Sequence, residues 1–138
     1  MTFNKYFDLD NIGGLKEIKN AINKDLSSVV FYAVENVRYH IASNFDRFFL
    51  YIVPDRLAAR KAQRIISSYI GEDVPIIFER EDVLINTQAV SAYSLGERLK
   101  TLSDIVQKKV KGAIISAQGL MQYYPRKELF ESSIKKLY

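Results

Sequence analysis

The run from Phe48 to Val53 limits the fold of this chain most, because six successive residues are apolar and Pro54 then ends the run. A strand that is apolar on both faces is typical of a parallel sheet covered by helices on its two sides. Shorter apolar runs are separated from it and from one another by stretches of helical periodicity. These runs are 29–32, 74–78 and 113–116.

The resulting βαβαβαβ order predicts one α/β domain over residues 1–138. We expect a parallel sheet of about four or more strands with helices on both faces, and Phe48–Val53 as a central strand. Helices are predicted at 12–26, 37–45, 55–70 and from about 95 to 111, where Gly112 is the expected helix stop. One or two further helical turns are predicted at 118–124, and a last helix at 125–137. The inner stripe of the third helix starts at Leu57. That of the fourth is predicted to contain Leu95, Leu99, Leu102, Ile105 and Val106.

Composition excludes several classes of protein. The chain has no cysteine, so it has no disulfide, thiol nucleophile or zinc finger. No apolar run approaches the ~18 residues of a membrane span, and the polar N-terminus is unlike a signal peptide. We therefore expect a soluble, cytoplasmic protein with no membrane contact. The net charge of +4 and pI of 9.2 are mildly basic, short of a dedicated nucleic-acid binder.

No glycine occurs between Gly14 and Gly71, although a strand-to-helix turn is predicted inside that interval. A phosphate-binding loop at such a turn needs glycines so that backbone N–H groups can approach the phosphates. The turn at 33–40 has neither glycines nor a Lys followed by Ser or Thr, and it carries Glu35 where an anion would lie. Glu35 is expected to pair with Arg38. The sequence therefore predicts that no nucleotide binds here.

Three blocks of residues resemble a known family. FEREDVL at 78–84, SLGERLKTL at 94–102, and AIISAQGLMQYYP at 113–125 followed by Glu128-Leu129-Phe130 resemble successive motifs of the bacterial transcription-repair coupling factor. Their spacing agrees with that of the N-terminal, UvrB-like module of this family. Val53-Pro54 also lies where superfamily-two helicases have their Ia motif. The connection after Glu79 is too short for the DNA-locking hairpin of UvrB itself.

The resemblance implies a degenerate P-loop NTPase, superfamily-two helicase-like domain that is one part of a larger multidomain protein. In the family's register, Tyr32 and Val37 replace the two loop glycines, Arg38 the lysine, and Tyr39 the hydroxyl residue. The implied partners are other domains of the same protein, UvrA through an adjoining subdomain, and DNA through the parent translocase.

Other candidate sites have simpler alternatives. Arg56, Arg60 and Arg64 recur every four residues beside Lys61, which predicts a basic stripe for an acidic partner or DNA, or merely a solvated helix face. His40 has no cysteine or acidic cluster near it in sequence, so it predicts no metal site. Glu79, Glu81 and Asp82 are interpreted as a charged turn rather than acid–base catalysts.

Ser116-Ala117-Gln118 stands where a working motor would carry its carboxylate pair for Mg²⁺ and water, so ATP hydrolysis by this chain is not expected. The predicted function is a non-catalytic interaction module of a transcription-coupled DNA repair translocase, with no catalytic residue, cofactor or metal of its own. Two alternatives stay open. One is a small DNA-binding module that uses the basic stripe, and the other is a divergent nucleotide hydrolase.

Overall fold

The structure is a computed structural model, and it describes residues 15–24, 32–80 and 92–134. Within these ranges the chain alternates helices and strands as the apolar runs predicted. The helices are α1 Leu15–Asn23, α2 Glu35–Ser43, α3 Arg56–Ile70, α4 Ala92–Val106, α5 Ala117–Leu120 and α6 Lys127–Ile134. The strands are β1 Phe49–Val53, β2 Ile76–Ile77 and β3 Gly112–Ser116.

The three strands form one parallel sheet in the order β1-β3-β2. Strand β3 is last in sequence but central in space, and all five of its residues are buried. In register, Leu50 pairs with Ala113 and Ile52 with Ile115. Because the strands are parallel, all three carboxyl ends meet at the same edge of the sheet.

Helices α2 and α3 cover one face of the sheet. Side chains of all three strands, among them Val53, Ile76 and Ile114, join Ala62 and Ile66 of α3 in the main apolar core. Ala62 and Ile66 are fully buried. A small side chain at Ala62 lets the helix approach the sheet closely, and Ile66 then fills the space beside it.

Helix α4 covers the opposite face. Its Leu102 and Ile105 pack against Ile77, Ala113 and Ile115 of β2 and β3. This second layer confirms the prediction of an α/β fold with a parallel sheet and helices on both faces. It does not extend over β1, whose Leu50 and Ile52 remain 40% and 52% exposed.

The sequence placed the ends of α3 correctly, because local signals determine them. The Asp55 carboxylate accepts a hydrogen bond from the Ala58 N–H at 2.8 Å and so caps the helix. Gly71 ends it in the left-handed conformation with φ 79°. Gly112 serves another purpose than the predicted helix stop: it begins β3, and a Cβ there would lie 2.5 Å from the Phe49 ring.

Other expectations about packing were wrong. Strand β1 lies at one edge of the described sheet rather than at its centre. Leu57 is 80% exposed instead of buried, because α3 faces the core with Ala59, Ala62, Ile66 and Ile70. Helix α4 ends at Val106, and its predicted stripe is confirmed at Leu102 and Ile105, which pack on the sheet, but not towards its start. Its buried side is formed by Arg98, Thr101, Leu102 and Ile105, while Leu95 and Leu99 are nearly half exposed.

The P-loop NTPase, helicase-like part of the fold prediction does not match the structure. In such a motor the residue before the phosphate loop ends a buried strand, but Tyr32 lies outside any strand and is 94% exposed. The predicted strand residues 29–31 lie outside the described residues, and the described sheet has three strands rather than four. In the described part of the chain, every helix is too short or too polar to cross a membrane.

Candidate functional site at the carboxyl edge of the sheet

Open α/β sheets bind their ligands in the crevice outside the carboxyl ends of the strands. In this chain, Asp55 follows β1 by two residues, Glu79 follows β2 by two, and Ser116 ends β3. A carboxylate or hydroxyl therefore stands at the end of each strand. This is the place in the fold where catalytic or ligand-binding groups would meet, so the bonds of each group decide what the edge can do.

The hydroxyl and carboxylates of this edge bind parts of the same chain. Asp55 caps α3, as described above. The Ser116 hydroxyl accepts a hydrogen bond from the Gly119 N–H at 3.0 Å and donates one to a Glu79 carboxylate oxygen at 2.5 Å. Ser116 is buried. It therefore caps α5 and ties that helix to the segment that follows β2.

Among the described residues of this edge, Arg98 is the buried charged group, with only 5% of its surface exposed. Its Nη1 donates to the Phe78 carbonyl at 2.5 Å and to the Gln122 side-chain oxygen at 3.0 Å. The guanidinium carbon lies 4.5 Å from the centroid of the Tyr124 ring. The arginine thus brings α4 together with the segments after β2 and after α5.

Gln122 completes the connection. Its side-chain oxygen accepts the Arg80 N–H at 2.7 Å, and its side-chain nitrogen donates to the Arg80 carbonyl at 3.0 Å. The Gln122 side-chain amide thus bonds both the N–H and the carbonyl of Arg80, as the backbone of a neighbouring strand would. The Tyr124 hydroxyl in turn donates to the Gly119 carbonyl at 2.7 Å. The edge is held by a continuous hydrogen-bonded network that joins three segments distant in sequence.

The arrangement offers little for catalysis. The Ser116 hydroxyl has a possible general base in the Glu79 carboxylate, but it is buried and accepts the Gly119 N–H as the cap of α5, so a substrate would have to displace these internal bonds to reach it. Across the described ranges, no three His, Cys, Asp or Glu side chains are grouped so that they could hold a metal ion. Glu81 and Asp82 of the predicted charged turn lie outside the described residues.

The predicted remnant of a phosphate loop divides into packed and exposed residues. Tyr39 is buried in the main core, and Val37 is half-buried against Ile41. Tyr32 and Arg38 are exposed. Helix α2 begins after Val34, which caps it without a side-chain hydrogen bond, and Glu35 and Asn36 lie inside the helix.

Glu35 pairs with Lys61 of α3 rather than with Arg38. The Lys61 ammonium donates to one carboxylate oxygen at 2.8 Å, and the Tyr39 hydroxyl donates to the other at 2.6 Å. The bond from Lys61, followed by that from Tyr39, lowers the pKa of the Glu35 carboxyl. Burial, with the bond to Glu35 second, raises the pKa of the Tyr39 hydroxyl far above its ordinary range.

His40 lies on the buried side of α2. Its ring contacts Tyr69 of α3 edge-on, with 5.0 Å between the ring centroids. Burial lowers the pKa of His40 below its ordinary value of 6.5. The imidazole is therefore a neutral packing group at physiological pH.

The structure brings together three of the four predicted basic residues. Arg60, Lys61 and Arg64 line a shallow groove with Glu35 and Asp55. Arg56 points elsewhere, with its guanidinium carbon 5.1 Å from the centroid of the Phe78 ring. Within the described residues, neither Arg60 nor Arg64 has a salt-bridge partner. These two arginines are the exposed cations of α3 that remain available to an external anion.

Sequence analysis missed Arg98 and Gln122 as organising residues of the edge. A helix-period signal for Arg98 existed, because 98, 101, 102 and 105 fall on one face of α4. It was overlooked because arginine is rarely buried and the neighbouring leucines offered a more apolar stripe. Gln122 had no signal, since its partners lie 24 and 42 residues away.

Comparison of the chain with family models, with curated proteins and with solved structures finds no match. The resemblance to the coupling factor therefore rests on the three motif blocks alone. Two residues of those blocks, Arg98 and Ser116, make internal hydrogen bonds at the carboxyl edge.

Proposed function

We propose that this chain is a non-catalytic interaction module of a transcription-coupled DNA repair translocase. In this role it docks against other domains of the same protein and supports the recruitment of UvrA. The observation that carries the proposal is the network at the carboxyl edge, where Glu79, Arg98 and Ser116 hold segments of this chain instead of being available to a substrate.

Exposed apolar side chains at the same edge support the proposal. Leu57 in the first turn of α3 is 80% exposed, and Met121 and Tyr123 after α5 are 87% and 97% exposed. Large apolar side chains of this kind make favourable contacts once a partner covers them. An edge without chemistry and with exposed anchors suits docking better than catalysis.

Binding measurements test the proposal. The chain is immobilised, and UvrA and the translocase lacking this domain are passed over it separately. We expect saturable binding to at least one of them. A double change of Leu57→Ser and Tyr123→Ser should weaken that binding by about tenfold or more, as loss of two apolar anchors does. Leu129→Ser on α6 is the control, because Leu129 is 63% exposed at another part of the surface. The absence of binding to both proteins would refute the proposal.

DNA binding is the second candidate, and the unpaired Arg60 and Arg64 favour it. If phosphates bind there, affinity for duplex DNA should fall steeply as salt rises. Arg60→Gln and Arg64→Gln should each reduce the slope of log affinity against log salt by about one. Affinity that does not depend on these two arginines would exclude this candidate.

A further inference from the structure

A second groove lies at the opposite edge of the sheet, where β1 and β3 begin. It is bounded by the segment before β1, the end of α4, the segment before β3, and the start of α6. All of its lining residues belong to the described part of the chain. The carboxyl-edge network does not extend to it, and none of the motifs discussed above explains it.

The floor of the groove is apolar. Phe48 is 50% exposed immediately before β1, and Phe45, Ile105, Val106 and Val110 line the space beside it. A large aromatic ring left half in water beside a concave surface gains by contact with an apolar side chain of a partner. The floor therefore fits a side chain such as leucine or phenylalanine.

The rim of the groove is basic. Lys108, Lys111 and Lys127 line it together with Arg47, and Asp46 is the one acidic lining residue. Lys111 and Lys127 make only long, exposed pairs, with Glu72 at 3.5 Å and Glu131 at 3.9 Å, neither of which lines the groove. Exposed ion pairs of this length contribute little to the stability of the fold. A carboxylate of a bound partner can therefore replace the glutamates as the partner of these lysines.

Lys108 gives an independent sign that charge matters here. It adopts φ 55°, the left-handed conformation that glycine or asparagine usually occupies after a helix. Among the described residues it is the one non-glycine residue with positive φ. A lysine at this position is unfavourable for the backbone, while its ammonium extends the basic rim.

We propose that this amino-edge groove binds an acidic peptide segment that inserts an apolar side chain against Phe48 and places carboxylates near Lys108, Lys111 and Lys127. The proposal deepens the proposed function, because it names one docking face and the chemistry of the partner segment. An apolar floor inside a basic rim favours such a peptide over a nucleic-acid backbone, which presents phosphates but no aliphatic side chain.

The probe is a synthetic amphipathic peptide with leucine and phenylalanine on one side and glutamate on the other. Its control has glutamine at every glutamate position, and a short DNA duplex tests the other class of ligand. Titration into the ¹⁵N-labelled protein should shift the amide signals of Phe45, Phe48, Lys108 and Val110. Binding of the glutamate peptide should weaken as salt rises. The affinity of the glutamine peptide should be lower by about tenfold or more.

Variants separate binding from stability. Lys108→Asn removes a charge but suits the left-handed backbone, so it should keep or raise stability while it weakens binding. When Lys108→Asn is combined with Lys127→Gln, the affinity for the peptide should fall by about tenfold. Arg60→Gln with Arg64→Gln removes the same charge from α3 and should leave peptide binding unchanged.

Four results would overturn the inference: no shifts at the groove, equal binding of the glutamine peptide, equal loss in the α3 variants, or tighter binding of DNA at this groove. Any of them leaves the proposed function standing if UvrA or the rest of the translocase still binds. Conversely, failure of those two proteins to bind does not alter the peptide result.

Discussion

Replacing Arg98 by methionine should lower the free energy of unfolding by about 3 kcal/mol. The partly buried Phe78 carbonyl loses the donor that now lies 2.5 Å away, and an acceptor shielded from water without a partner costs roughly 1–3 kcal/mol. Gln122 keeps its bond from the Arg80 N–H at 2.7 Å, so its loss is smaller, about 0.5–1.5 kcal/mol.

Two further effects set the net value. The contact with the Tyr124 ring contributes about 0.5–2 kcal/mol. Folding of the methionine variant does not have to remove a guanidinium from water, and the thioether still packs on the Tyr124 ring. Both effects offset part of the summed loss of stability. With an unfolding entropy of about 2.1 cal/mol/K per residue over 138 residues, about 3 kcal/mol corresponds to a Tm lower by about 10 °C.

Urea unfolding followed by circular dichroism measures this change, and thermal unfolding checks it. Arg80→Met is the matched control, because the Arg80 side chain is exposed and only its backbone bonds Gln122. The control should change stability by less than about 0.5 kcal/mol. If Arg98→Met is as stable as the natural chain or more stable, the network does not hold the fold, and Arg98 would have to be retained for binding or chemistry.

Three other changes test the packing. Gly112→Ala should cost about 1–3 kcal/mol because its Cβ would lie 2.5 Å from the Phe49 ring, and adding Phe49→Leu should recover part of the loss in the same urea experiment; a neutral single variant would contradict the contact. Ser116→Ala should cost about 2–4 kcal/mol through loss of the α5 cap and the bond to Glu79, and a change under about 0.5 kcal/mol would contradict both bonds. Because burial lowers the pKa of His40, the unfolded chain takes up the proton first, so stability should be full above pH 6.5 and fall as pH drops below it. His40→Phe should remove that part of the pH dependence. If the stabilities of the natural chain and of the variant instead differ by the same amount at every pH, His40 does not cause the loss.

Local signals predicted much of the fold. The ends of α3 follow from Asp55 and Gly71, and the strands follow from short apolar runs, because capping and burial are determined by residues close in sequence. Strand order was beyond this reasoning. The run Phe48–Val53 has the composition of a central strand, yet β3 occupies the centre, since order depends on which crossovers the whole chain makes.

The candidate site was less predictable than the fold. Glu35 pairs with Lys61, 26 residues away, instead of with Arg38 three residues away, because packing of α2 on α3 decides the choice. Arg98 is buried although its residue type predicts exposure, since its bonds to Phe78 and Gln122 satisfy it there. Long-range partners of this kind leave almost no trace in a single sequence.

A calorimetric titration of the intact chain with ATP and Mg²⁺ tests the central claim most directly. If Glu79, Arg98 and Ser116 are committed to the fold, none of these three groups at the carboxyl edge is available to bind phosphates or metal. The account therefore predicts no heat of binding up to millimolar nucleotide. A dissociation constant in the low micromolar range would contradict it, because a nucleotide would then have found groups that the structure assigns to internal bonds.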